Sequence, residues 1–339
     1  MGMSTLYIAE DYAVVRKHSQ RLVVEKDDKV LMEIPAFKVE RILLFGKIQV
    51  TADAVEHLLD NRVDVAFFNR HGRLKGKLTD YSGKNVHLRM AQYACYHDPA
   101  VRLAVARSIV AGKVRASIAL LQRFSRNHPE TPLHQPLQRL ASVLTLLERK
   151  TTIGGLMGME GVAAGIYFPC LAHMLSCPEW RAAFNSRTRR PPRDPVNALL
   201  SLGYAMLTNE LWALLDGIGY DPFVGFLHEV DYGRPSLALD LAEEFRIPVV
   251  DRAVLEMVNH RIITPADFED DPDIGCRMSK EALKKYFAHF DRRLRSELRN
   301  PDTGETATYR KMFLHQAQKL ADVIKRRCLD GPYQPFQAP

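Results

Sequence analysis

The apolar residues change their period once along this chain, and that change constrains the fold more than any single motif does. Up to about residue 86 they fall in short runs rich in β-branched and aromatic side chains: Thr5–Ala9, Ala13–Arg16, Arg21–Glu25, Val30–Ile34, Ile42–Phe45, Val63–Asn69 and Arg73–Tyr81. Runs of that length, separated by turn formers such as Asp27-Asp28 and His71-Gly72, read as strands, with one short helix over Ala52–Asp60. After Ser82-Gly83-Lys84-Asn85 the spacing becomes three and four, as in VRLAVARSIVAGKVRASIALLQRF and LQRLASVLTLLERK. It persists to the C-terminus with breaks at Asn127–Gln135, Cys177–Pro195 and Thr264–Gly275. A chain of 339 residues suits two domains. The expectation is therefore an α+β protein, with a β-rich domain over 1–86 and a larger, all-α helical domain over 87–339.

Composition narrows the class. An apolar fraction of 46% with 26% charged residues is that of a globular protein. The five cysteines are odd in number, scattered and without a CxxC pair, which points to a reducing cytoplasm rather than a disulfide framework or zinc site. The start, MGMSTLYIAEDYAVV, has no basic-then-apolar signal pattern. Only Ile153–Leu175 is apolar over a membrane-spanning length, yet it carries Glu160, Pro169, His173 and five glycines. A buried helix pair is expected there, and no membrane role.

The net charge of +7 is unevenly placed. Residues 87–134 hold seven basic side chains (Arg89, Arg102, Arg107, Lys113, Arg115, Arg123, Arg126) against Asp98 and Glu130. Such a stripe fits either a polyanion-binding surface or a solvated helical face. A second cluster gathers Arg187, Arg189, Arg190 and Arg193 around Pro191-Pro192, and arginine suits phosphate through its two-pronged donor geometry.

Glu160 is the one acid between Lys150 and Glu179, inside an apolar run. An unpaired buried carboxylate is costly, so a partner is expected: an arginine, or a hard divalent cation. Downstream, GFLHEVDYGRPSLALDLAEEF places His228 before a Gly-Arg-Pro turn and puts Asp240, Glu243 and Glu244 on the following helix. Acids near a helix start are favoured by its dipole, which accounts for the carboxylates but not for His228. Imidazole with carboxylates suits manganese or magnesium. No GxxxxGK[ST], HExxH, GxSxG or dinucleotide fingerprint is present.

Three stretches taken together, MEG at Met159–Gly161, RTRRPPRDPVNALLSLGYAML and GFLH…GRPSLALDLAEEFR, with a YQPF tail at Tyr333–Phe336, resemble one family along the whole chain. It is the CRISPR-associated endonuclease/integrase family of spacer acquisition. The resemblance implies an N-terminal β-sandwich that forms a homodimer, followed by a helical catalytic domain in which Glu160, His228 and Glu243 hold Mg2+ or Mn2+ and Asp240 supports them. It implies a cytoplasmic, metal-dependent DNA endonuclease/integrase. That enzyme joins the 3′-hydroxyl of a captured double-stranded DNA fragment to a phosphodiester of a CRISPR array, beside a small ferredoxin-like subunit in a heterohexamer. The alternative is a structure-specific DNase that cuts branched DNA without joining. Arg107, Lys113, Arg115, Arg187, Arg189, Arg190, Arg193 and Arg234 are the expected DNA contacts.

Overall fold

The computed structural model describes residues 4–69, 74–78, 85–184, 186–188, 192–271, 275–328 and 331–337. The chain divides into two compact units, Met1–Ser82 and Gly83–Pro339.

In the first unit the β-branched runs become β1 (Ser4–Ile8), β2 (Val14–His18), β3 (Arg21–Lys26), β4 (Lys29–Pro35), β5 (Val39–Phe45), β6 (Gln49–Val50), β7 (Asp64–Phe68) and β8 (Leu74–Leu78), with helix α1 (Ala52–Asp60) between β6 and β7. Asp27 and Asp28 both take left-handed backbone angles, the geometry of a two-residue hairpin, so Lys26 pairs with Lys29. The strands form two four-stranded sheets, in the orders β1-β5-β7-β8 and β4-β3-β2-β6. Within the first, β1, β5 and β7 run parallel. Alternate residues of both sheets, including Leu6, Ile8, Val15, Leu22, Val24, Ile42, Leu44 and Val65, share one core with Leu58 of α1. Part of the strand expected at Arg73–Tyr81 lies outside the described residues; Leu74–Leu78 is its described portion.

The second unit is dominated by helices: α2 (Val86–His97), α3 (Pro99–Asn127), α4 (His134–Leu147), α5 (Ile153–His173), α6 (Pro178–Ala183), α7 (Pro195–Ile218), α8 (Ser236–Phe245), α9 (Arg252–Asn259), α10 (Lys280–Arg295) and α11 (Tyr309–Lys325). Their starts are written in polar residues. Asp98 Oδ1 accepts from the amides of Ala100 and Val101 with Pro99 in the first turn, and Asp194 Oδ1 accepts from Asn197 N with Pro195 in the first turn. The all-α expectation is corrected by two antiparallel ribbons, β9 (Phe268–Asp271) with β10 (Gly275–Met278) and β11 (Glu297–Arg299) with β12 (Thr306–Thr308). They fall where the helical period lapses and where Gly275 and Gly304 supply positive φ.

The helix pair expected at Ile153–Leu175 is one unbroken helix, α5, with Pro169 inside it. By length and composition alone α5 and α7 could each cross a membrane; 61% of the apolar window of α7 is buried inside the protein but only 39% of that of α5, which corrects the expectation of a buried segment there. Helices α3, α5, α7 and α8 pack together, and their meeting carries the candidate chemistry.

Candidate metal centre

Helix α8 begins directly after the Gly233-Arg234-Pro235 turn, in which Gly233 takes φ +68°. Ser236 Oγ donates to Glu229 O at 2.8 Å and ties the His228 loop to the helix start. One turn further, Asp240 is fully buried and organises that loop. Its Oδ2 accepts from the amides of Phe226 (2.5 Å) and Leu227 (3.0 Å), and its Oδ1 from the His228 amide (3.0 Å). Oδ1 also lies 2.7 Å from His228 Nδ1. The carboxylate accepts a hydrogen bond from Nδ1 and so turns Nε2 away from Asp240, the arrangement common behind metal-bound histidines. The carboxylate reaches these amides because residue 225 is glycine; a Cβ there would stand 2.8 Å from Asp240 Oδ2.

Glu243 is buried on the same helix. Its Oε1 pairs with Arg246 Nη1 at 2.9 Å and its Oε2 with Lys113 Nζ at 2.7 Å. Burial pushes this carboxyl up, but Arg246 and Lys113, with a smaller contribution from His228, outweigh it and hold it down to about 2. Oε2 has an ion-pair partner yet no well-directed hydrogen bond. The same Lys113 ammonium donates to Glu160 Oε1, so one lysine of α3 clasps acids from α5 and α8. Among the described residues no three His, Cys, Asp or Glu side chains close on one point as a ready-made cage. The two acids instead close around Lys113, a cation between two carboxylates. Two carboxylates, one with an oxygen lacking a directed bond, and an imidazole with a free nitrogen fit a hard divalent ion such as magnesium or manganese.

A buried layer supports Arg246. The chain after α8 makes a π-helical turn over Arg246–Asp251, which contains Pro248. Arg246 lies over the Tyr204 ring at 5.0 Å, and Tyr204 OH donates to Asp251 Oδ1 at 2.6 Å while Tyr167 OH donates to Oδ2 at 2.8 Å. Burial pushes the Asp251 carboxyl up, and the two hydroxyls pull against that. Asp251 gave no sign in the sequence beyond being an acid in an apolar stretch.

The expected DNA contacts divide. Arg107 is a correction: its guanidinium donates to Leu147 O and to Lys150 O (2.8 Å), closing the C-terminal end of α4. Lys113 is another, being committed to the two acids. Arg187 is the third, donating to Asn197 Oδ1 (2.8 Å) and Ser201 Oγ (3.0 Å) and stacking on Tyr204. Arg115 and Arg193 are exposed. Arg234 is half-buried in the turn beside His228, and its backbone amide, at 3.1 Å, is what donates to Asp231 O. Arg189 and Arg190 lie outside the described residues. On α5, Gly154, Gly158, Gly161 and Gly165 recur along one exposed side, with open space where a Cβ would be, while Glu160 turns toward Lys113 of α3.

The family model for CRISPR-associated protein Cas1 matches residues 6–292. A protein of Thermus thermophilus called CRISPR-associated endonuclease Cas1 3 is 37% identical over 338 residues, 99% of this chain and 97% of its own length. A Cas6-RT-Cas1–Cas2 complex superposes with a TM-score of 0.83 at 27% identity, covering 99% of this chain and 36% of that one. A casposase bound to an integration product shares the fold with a TM-score of 0.87 at 22% identity, covering 99% and 95%.

Proposed function

The chain belongs to the CRISPR-associated Cas1 family, and from that premise we propose that it is a metal-dependent DNA integrase that also cuts DNA, acting in spacer acquisition. The observation that carries the proposal is that Glu160 and Glu243 both pair with the one ammonium of Lys113, and that Glu243 lies on the same helix α8 whose Asp240 braces His228. Glu160, Glu243 and His228 Nε2 would hold Mg2+ or Mn2+. When bound, that ion supplies Lewis-acid polarisation of the target phosphate. Asp240 fixes the imidazole, and Arg246 keeps Glu243 ionised and oriented. Lys113 balances the charge of the two acids.

Arg115, Arg193 and Arg234 are the side chains that would supply phosphate contacts. The fragment's 3′-hydroxyl attacks a phosphodiester of the array, losing its proton and forming a new P–O bond as the array strand's own 3′-oxygen leaves as a hydroxyl; water in place of the fragment gives cutting. We read the two sheets of the first unit as faces of a β-sandwich. The exposed apolar residues of its edge strand β4, Val30, Leu31 and Met32, with Phe37 just beyond, suit a homodimer contact. The Cas1–Cas2 complex among the structural relatives supports a Cas2-type partner, and the array substrate places the activity in the cytoplasm.

The test is a joining assay with purified protein, a Cas2-type partner, a labelled fragment with 3′-hydroxyl ends and a plasmid-borne array. Joined products that vanish with EDTA and with Glu160→Gln support the proposal. Cutting without joining assigns a structure-specific DNase instead, and chemistry that survives Glu160→Gln removes Glu160 from the reaction.

A further inference from the structure

Glu244, the neighbour of Glu243, takes no part in the ligand set, yet it is fully buried. Its Oε1 accepts from Tyr333 OH at 2.7 Å, and its Oε2 accepts from the Phe336 amide at 2.7 Å and from Gln316 Nε2 at 2.9 Å. Gln316 Nε2 also reaches Tyr333 OH (3.0 Å) and Gln334 O (3.2 Å). Residues 331–337 have no regular secondary structure, so these contacts with the helices, rather than a backbone ladder, fix their path. The Phe336 ring stacks on Phe245 with centroids 4.9 Å apart and meets Tyr309 edge-on. Pro335 fills the space left by Gly112 of α3, where a Cβ would stand 2.6 Å from Pro335 Cβ. That same Cβ would be 3.9 Å from Glu244 Cγ, so α3 and α8 are in contact at this point.

Besides Gln316 and Tyr309, the tail grips three residues of α3 and α8 that each adjoin a residue of the candidate centre in sequence: Gly112 precedes Lys113, Glu244 follows Glu243, and Phe245 precedes Arg246. We propose that Tyr333–Phe336 is a positioning strap. It fixes the crossing of α3 and α8 and thereby the spacing of Lys113 and Glu243 across the cation site. The inference rests on the metal-centre reading and adds to it a function for the C-terminal tail.

The test compares full-length wild type with Phe336→Ala and Tyr333→Phe, at a temperature where circular dichroism shows each folded. Manganese affinity is read by calorimetry, joining by kcat and KM, and hydrogen exchange by amides of 110–116 and 240–246 against the rest of the second unit. A strap predicts manganese affinity weakened by about tenfold or more in Phe336→Ala. It also predicts a fall in kcat with the KM for DNA unchanged, and faster exchange confined to those two segments; Tyr333→Phe shifts the same readouts less. Folded variants with wild-type manganese affinity and evenly raised exchange would reduce the tail to ordinary packing and overturn the strap. If Phe336→Ala does not fold, Tyr333→Phe, which removes one oxygen, decides by the same readouts. Wild type that takes up no manganese refutes the metal centre instead, and the exchange pattern then still decides whether the tail fixes the crossing.

Discussion

Asp240→Asn separates a residue that braces the site from one that binds in it. Four donors converge on this buried carboxylate: the amides of Phe226 and Leu227 on Oδ2, and the amide and Nδ1 of His228 on Oδ1. An asparagine keeps one acceptor oxygen and turns an NH2 toward the other pair. Two buried donors are then unpaired, at about 1–3 kcal/mol each, or about 2–6 kcal/mol together. That is a large share of a typical folding stability of about 5–15 kcal/mol. At about 2–4 °C per kcal/mol for a unit of this size, the variant should melt about 5–20 °C below wild type. His228 also loses its fixed orientation, so manganese binding should weaken by about ten- to a hundredfold. Gly225→Ala should shift both readouts in the same direction, because its Cβ would push against Oδ2. Glu160→Gln should instead lose manganese with a smaller change in melting, since Glu160 is partly solvated. Differential scanning calorimetry and manganese titration on the same preparations provide both numbers. An Asp240→Asn protein that melts and binds manganese like wild type would refute the bracing role.

Further outcomes follow from the charge arrangement. Lys113→Met leaves Glu160 and Glu243 without the ammonium they share, and only Glu243 keeps a partner in Arg246, so the variant should melt lower than wild type in EDTA and gain more stability from added manganese. Arg115→Ala should lower the slope of log affinity for DNA against log salt by about one, whereas Arg107→Ala should leave that slope alone and lower melting. Burial raises the Glu244 carboxyl from 4.5 to about 7, against the pull of the Phe336 amide, Tyr333 and Gln316. The folded state thus keeps a proton that the unfolded chain releases, so stability falls as pH rises from about 4.5 to about 7 and levels off above. Glu244→Gln should flatten that part of the melting-versus-pH curve.

Much of the first unit was legible because strand formation there is local. Two-period runs and the Asp27-Asp28 turn mark β2 to β4 within a residue or two, and Ala52–Asp60 matches α1. The parallel pairing of β1 with β5 and β7 was not legible, since it joins residues far apart with no turn between them. In the second unit, the break at Thr264–Gly275 was read as a gap between helices, although its flanks pair as β9 and β10. Lys113 shows most clearly where charge counting misleads. Counted in a basic stripe it read as a DNA contact, yet it lies four residues after Ile109, three after Val110 and four before Ser117, all buried. That spacing puts it on the inward side of α3, and Arg115 on the outward side. Arg187 had no such signal, because a loop has no period to reveal which way it faces.

The central claim is that Glu160, His228 and Glu243 share one divalent ion. Anomalous diffraction at the manganese edge, from crystals grown with Mn2+, tests it most directly. The account predicts a single peak with oxygen and nitrogen ligands from these three side chains at about 2.0–2.6 Å, and Lys113 moved off the acids. A map with no peak there, with Lys113 still clasping Glu160 and Glu243, would contradict it.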